Sequence, residues 1–377
     1  MLDLQHIAVV DNHCHPILLE QQMDVLRFRG YFTEATHPDF AQKHVHHTIY
    51  YTWLLRQLST IYACAPIEEE VLAARNRFQG TELLAHLVGA AHIDTLILDV
   101  GHPLPEYCFS PQAIQRAAGC RTARMLRLET LMERLVIEQS DFDTVVALFE
   151  QALQDLRGQG YCSLKSIVAY RCGLEIREWS KDEAALAFRE ARQIVQRQGT
   201  LRLMQKPLID YLLHRAFRQA AQQHVPIQFH TGYGDSDTDM RLGNPLHLRA
   251  VLEVSDYQTM PIILLHESYP YSQLGAYLAA IYPHVYFDLS YMIPMVEKLE
   301  MCAFTRQALS VAPASKLMYS SDGIHVPEMY WAGAVRGRAI IGQVLQEMMA
   351  ADELDQEQAY LFARLILREN ARAVYKL

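Results

Sequence analysis

A (β/α)8 barrel is the fold class this sequence predicts, and three observations predict it. Eight short apolar, β-branched runs recur along the 377 residues. A longer stretch with helical spacing follows each run, the alternation that marks a parallel sheet. Closure is the arrangement in which eight such units leave no exposed strand edge. A doubly wound open sheet is the alternative fold.

In order, the runs are 8–15, 95–101, 124–129, 161–169, 226–231, 261–266, 285–290 and 317–322. The helical spacing is clearest at 207–224, where Leu208, Ile209, Leu212, Leu213, Ala216, Phe217 and Ala220 fall on one face. The first two runs stand about 80 residues apart, more than one crossover helix needs. The interval 24–89, rich in Tyr, His and Leu, therefore reads as a helical insertion, a lid over the barrel mouth, within a single barrel spanning 1–377. Barrels of this class commonly start near 250 residues and grow by insertion.

Composition narrows the function. Half the residues are apolar and a fifth charged, as in ordinary globular chains. Thirty-four basic against 43 acidic residues give a formal charge of −9 without a dense Lys/Arg run, which argues against a nucleic-acid partner. The seven cysteines are odd in number and form no CxxC pair, so neither a disulfide framework nor a thiolate zinc site is expected. The first residues, MLDLQHIAVVDNHCHP, lack the layout of a signal peptide, and the longest apolar runs are of strand length. The expectation is a cytoplasmic protein with no membrane partner, its homo-oligomeric state open.

Chemistry enters at the strand ends. The first run closes on His13-Cys14-His15, and side chains two apart on a strand share a side, so both imidazoles face one point. Lys165, His230, His266 and Asp322 end, or lie near the end of, later runs. Ionisable groups are costly beside a barrel core without partners, so their recurrence at the mouth points to a shared ion.

The stretches DNHCHP, LKSIVAYRCGL, FHTGYGDSD, LLHESYPY, YFDLSY and YSSDGIHVPEMYW together resemble the amidohydrolase superfamily of metal-dependent TIM-barrel hydrolases. The resemblance covers the whole chain and is closest to the amidohydrolase-2 branch, and within it to hydrolase domains fused to glutamine synthetase-like proteins. It implies that His13, His15 and His230 ligate a divalent metal. Asp322 would touch the metal and act as catalytic general base, and His266 would ligate a second metal or polarise the scissile carbonyl. Lys165 is the ambiguous member. As a plain ammonium it would repel a metal, so it is a bridging ligand if carbamylated and otherwise lies toward substrate or is shifted in pKa.

The implied cofactor is zinc, with manganese or iron as alternatives that the same donor set suits, in one or two ions. The implied activity is hydrolysis of an amide or related C–N bond by metal-activated water, on a small carboxylate-bearing substrate of glutamyl-amide type. A metal-dependent decarboxylase or isomerase of a small carboxylated substrate is the first alternative, and an inactive barrel used as an interaction module the second.

Beyond the fourth run, Arg171 and Tyr170 are substrate-side candidates. Arg171 pairs either with a substrate carboxylate or with an acidic helix residue; Glu129, Glu267 and Tyr269 are weaker candidates. His44, His46 and His47 read as insertion surface, His102 as a loop anchor, Gly232 and Gly234 as tight-turn residues, and Cys14 as packing. Tyr50, Tyr51, Trp53 and Leu54 read as the insertion's own core.

Overall fold

The computed structural model describes residues 2–293 and 295–377. Its eight strands are β1 (Val9–Cys14), β2 (Ile93–Asp99), β3 (Arg121–Arg127), β4 (Tyr161–Ser166), β5 (Ile227–Phe229), β6 (Ile262–Leu264), β7 (Val285–Ser290) and β8 (Leu317–Ser320). They form one sheet in sequential order with helices between them, a (β/α)8 barrel. Each expected run holds one strand. The boundaries differ where polar residues belong to a strand or apolar ones to a turn. β3 begins three residues earlier, at Arg121, and gives way to a helix, Leu128–Glu138, whose first turn carries Glu129. β4 stops at Ser166, and the apolar residues Val168–Tyr170 that extend its run form a 3-10 turn.

The chain divides into two compact units, one made of the residues up to Ala123 with Gly234–Ser236 and Asp288–Ala373, the other of Arg124–Tyr233, Asp237–Phe287 and Val374–Leu377. In the first unit, the chain beyond β8 runs alongside β1. Asp322 N–H donates to His13 O at 2.9 Å and His15 N–H to Gly323 O at 2.8 Å. Between β1 and β2 lie the helices Val25–Gly30, Pro38–Lys43, Ile49–Ile61, Glu68–Arg75 and Glu82–Ala90. Charged groups anchor them to the helix Pro327–Ala350. Arg75 and Glu328, 1% and 0% exposed, meet at 2.6 Å, and Tyr62 donates to the same carboxylate at 2.8 Å. The Arg336 guanidinium lies over the rings of Tyr50 and Trp53 at 4.8 and 4.4 Å, and Tyr50, Tyr51 and Leu54 are buried.

In the second unit, β4, β5 and β6 pair in parallel, Lys165 opposite Gln228 and Phe229 opposite Leu264. The helix Lys206–Gln223 starts with a proline in its first turn, where the missing N–H costs nothing. All seven residues of its expected apolar face are fully buried. The helix Lys181–Gln198 opens on a Ser180/Glu183 capping box and closes at Gly199 in the left-handed conformation, φ 73°. Among the described residues, no helix is long and apolar enough to cross a membrane, and all seven cysteines are free.

Candidate metal centre

In the first unit, the His-x-His motif and Asp322 converge. His13 and His15 present Nε2 to the same oxygen, Asp322 Oδ1, at 3.2 and 3.3 Å. The two imidazole rings stand edge to face, 5.1 Å apart. His13 is fully buried, and the Asp322 side chain is 12% exposed.

The second nitrogen of His15 fixes its tautomer. Nδ1 lies 2.9 Å from the backbone oxygen of His102, an acceptor, so Nδ1 carries hydrogen and Nε2 is the nitrogen turned toward Asp322, a lone pair in the singly protonated ring. A lone pair and a carboxylate oxygen at 3.3 Å are two acceptors face to face, an arrangement that a cation satisfies. Two imidazole nitrogens and a carboxylate fit a divalent metal of the zinc, manganese or iron type. Holding a ligand's far nitrogen on a carbonyl is the usual way such a ring is aimed. His102 therefore enters through its backbone oxygen.

Asp322 sits in the left-handed region, φ 53°, as does His325, φ 65°. Such backbone is uncommon outside glycine, though less so for Asp and His, and persists where neighbours hold it. The holding group is Asp11, which the sequence reading did not single out. Its carboxylate accepts from Ser321 N–H at 2.9 Å and from the Ser321 hydroxyl, which in turn accepts from Gly323 N–H at 2.8 Å. Burial pushes the Asp11 carboxyl up to about 8 despite those donors. Beside it, Asn12 donates to Asp288 and to Tyr319 O, each at 2.8 Å, and Ser290 donates to Asp288 at 2.7 Å. An acidic residue two before His13, on the same side of the strand, was the available signal for Asp11. Asp288, the lone acid of the run 285–290, carried a local signal too, whereas nothing local marked Ser321.

Two further groups enter from the β1–β2 connection. The Tyr31 ring packs on His325 at 5.0 Å and accepts a hydrogen bond from Arg27 at 3.1 Å. Burial, with His15 and Arg27 adding to it, pushes His325 down to about 4. Burial raises Glu34 to about 7, with Asp322 and Asp235 adding to the shift. Cys14 points away from the ligand pair toward Ile97 O at 3.5 Å, and burial raises its thiol far above the usual range. It is a packed thiol, as expected.

In the second unit, His230 is the hub. Its ring contacts Tyr170 and His266, both at 4.3 Å between centroids, and its N–H donates to Ser166 O at 3.0 Å. Lys165 is buried near the end of β4. His266, Glu267 and Ser268 are three consecutive left-handed residues, φ 60°, 53° and 49°. Gly232 makes room for that turn: a Cβ on it would come within 2.3 Å of Tyr269 O. Arg171 has the acidic-helix partner of its two alternatives, Glu133, at 3.2 Å. Glu129 accepts from the Ser166 hydroxyl at 2.7 Å and Ile167 N–H at 3.0 Å, which ends β4; burial holds its carboxyl up. Between β1 and β2, His46 and His47 touch each other at 4.0 Å, and His44 and His47 are exposed.

A match to the amidohydrolase family extends over residues 179–377, more than half the chain. This chain belongs to the amidohydrolase family. Over 416 aligned positions the chain is 26% identical to Protein fluG of Emericella nidulans, covering 99% of this chain and 46% of that one. It thus spans less than half the length of this curated relative. A solved structure from Lactobacillus casei ATCC 334, provisionally named a metal-dependent hydrolase, superposes with a TM-score of 0.88 at 26% identity, covering 100% of this chain and 98% of the other. Uronate isomerase from Thermotoga maritima shares the fold, with a TM-score of 0.67 at 14% identity over 98% and 95% of the two chains. Family membership supports an enzyme acting on a small molecule, and the His/Asp cluster of the chain supports a divalent metal.

Proposed function

We propose that the chain is a metal-dependent hydrolase of an amide or related C–N bond in a small carboxylate-bearing substrate. The observation that carries the reading is the meeting of His13 Nε2, His15 Nε2 and Asp322 Oδ1 at 3.2 and 3.3 Å, with His15 aimed by His102 O. His230 is proposed as the third imidazole ligand, His266 as carbonyl polariser or ligand of a second ion, and Lys165 as a bridge between ions when carbamylated. When bound, a divalent ion supplies Lewis acidity and brings the pKa of water to about 7.

Asp322 performs the proton transfers. One carboxylate oxygen faces the two imidazoles, and the backbone is fixed at its N–H by His13 O, so the side chain is held rather than searching rotamers. It takes a proton as water adds to the amide carbon and delivers one to the leaving nitrogen as the C–N bond breaks, giving a carboxylic acid and an amine. Tyr170, in contact with His230, is placed on the substrate side; Arg171 is paired with Glu133 and would meet a substrate carboxylate only through its remaining donors. The glutamyl-amide class follows from the resemblance carried by the sequence stretches quoted above.

The test is turnover of γ-glutamyl amides in H2-18O by zinc-, manganese- or iron-loaded protein. One 18O in the product carboxylate together with released amine is expected. Release of CO2, or an isomer without 18O, would overturn the hydrolase reading in favour of the lyase or isomerase alternative.

A further inference from the structure

At the opposite end of β1 from His13 and His15 lies a cavity of about 450 Å³, formed by residues 6–8, His92, Arg364, Arg368 and Glu369. The proposed hydrolysis makes no use of it. The volume falls within the range of small-molecule sites. In this fold the amino-terminal face ordinarily serves stability, so a cavity with four nitrogen-bearing side chains there calls for a ligand.

The walls are built rather than incidental. Arg338, 2% exposed, ties together the two segments that lead into β1 and β2. It donates to Ile7 O through Nε at 3.1 Å and Nη2 at 2.9 Å, to Ala91 O at 2.8 Å and to His92 O at 2.9 Å. His92 is left-handed, φ 50°, and its Nδ1 lies 3.2 Å from Gln5 O. The His6 ring rests on Tyr360 at 5.8 Å. Arg364 and Arg368 are four apart and share a helix face. The turn that carries Arg368, Leu365–Glu369, is π-helical, a distortion that gathers at functional sites.

Charge selects the ligand. Two guanidiniums and two imidazoles face one lining carboxylate, Glu369, whose Oε1 is 3.9 Å from Arg368 Nε, beyond hydrogen-bond reach. That Nε is buried and has no hydrogen-bond partner among the described residues. The other acid near Arg368, Asp94, is taken by Arg121 at 2.6 Å. Two guanidiniums lining one cavity, one of them with an unpartnered buried donor, match the planar oxygens of phosphate or carboxylate.

We propose that this cavity binds a small dianion, a phosphate or dicarboxylate group carried on a molecule larger than the bare ion. Calorimetric titration of the metal-loaded protein with inorganic phosphate and, separately, with succinate tests it, against chloride at matched ionic strength. One saturable site is expected for at least one of the two, and which one identifies the anion's source. Arg364→Gln/Arg368→Gln should weaken it at least tenfold and leave unliganded activity unchanged. Arg364→Lys/Arg368→Lys, keeping charge without the fork, should fall between. Absence of saturable binding, an affinity unchanged in the Gln pair, or binding lost in His230→Ala but kept in the Gln pair would overturn the proposal, the last by placing the anion at the metal.

Discussion

At the carboxyl end of β1, His13 and His15 face a carboxylate at 3.2 and 3.3 Å, and a buried network of Asp11, Ser321 and Gly323 holds that carboxylate in place. At the amino end of the same strand, His6 and His92 share an open cavity with Arg364 and Arg368. Histidine alone is uninformative at either end. The neighbouring charge decides: imidazole with carboxylate leaves surplus negative charge and suits a cation, while imidazole with guanidinium suits an anion. The supports differ in kind as well, side-chain carboxylate and hydroxyl at the mouth, a guanidinium binding backbone carbonyls at the foot.

The sharpest break of this contrast is Asp322→Asn. An amide is a poorer ligand and no base, so kcat should fall by about 10²–10⁴ and metal content should drop, measured by steady-state kinetics and elemental analysis on one preparation. Anion titration at the foot should be unaffected. Full metal content and near-normal kcat would remove the carboxyl end as the metal centre.

Next in size is Arg338→Met. It leaves the oxygens of Ile7, Ala91 and His92 without this donor in a buried setting, at about 1–3 kcal/mol for each one left unsatisfied. Urea unfolding should show a loss of about 3 kcal/mol or more, with metal content per folded protein retained. A loss of metal instead would mean that the two ends are not independent.

Ser321→Ala probes the mouth's support at smaller cost. It removes the hydroxyl that links Gly323 N–H to Asp11, and a buried acceptor losing one of its donors costs about 1–3 kcal/mol. Because the same hydroxyl holds the loop bearing Asp322, metal affinity should fall about tenfold, at the lower edge of outer-shell effects. Competition with a chelator measures it.

The two ends also differed in how far the sequence disclosed them. The His-x-His pair was legible because strand alternation is local, and Asp322 because it closes an apolar run. All eight runs hold strands for the same reason. The misplaced boundaries have local causes that need the third dimension: β4 ends where Glu129 captures Ser166 and Ile167 from another element, and β3 begins on the polar residues Arg121 and Thr122. Asp11 was within reach as the acid two before His13, but its partner Ser321 lies 310 positions away. The foot cavity was illegible for that reason too. Its residues come from three distant segments, 6–8, 92 and 364–369, and none forms a motif alone.

The smallest expected effect concerns another cation near the amino ends of the strands, Lys316, which immediately precedes β8. Burial pushes its ammonium down to about 8, against about 10.4 in an unfolded chain. Below pH 8 both states hold the proton, and the folded state bears the full cost of a partly buried charge. Between about 8 and 10.4 the unfolded state binds more protons than the folded one, so this group makes stability rise with pH across that window. Lys316→Met removes the contribution. The variant should melt above the parent at pH 7, and the gap should close as pH is raised toward 10, read from paired thermal melts. A gap that stays constant or widens over that range would show that Lys316 keeps its charge in the folded state.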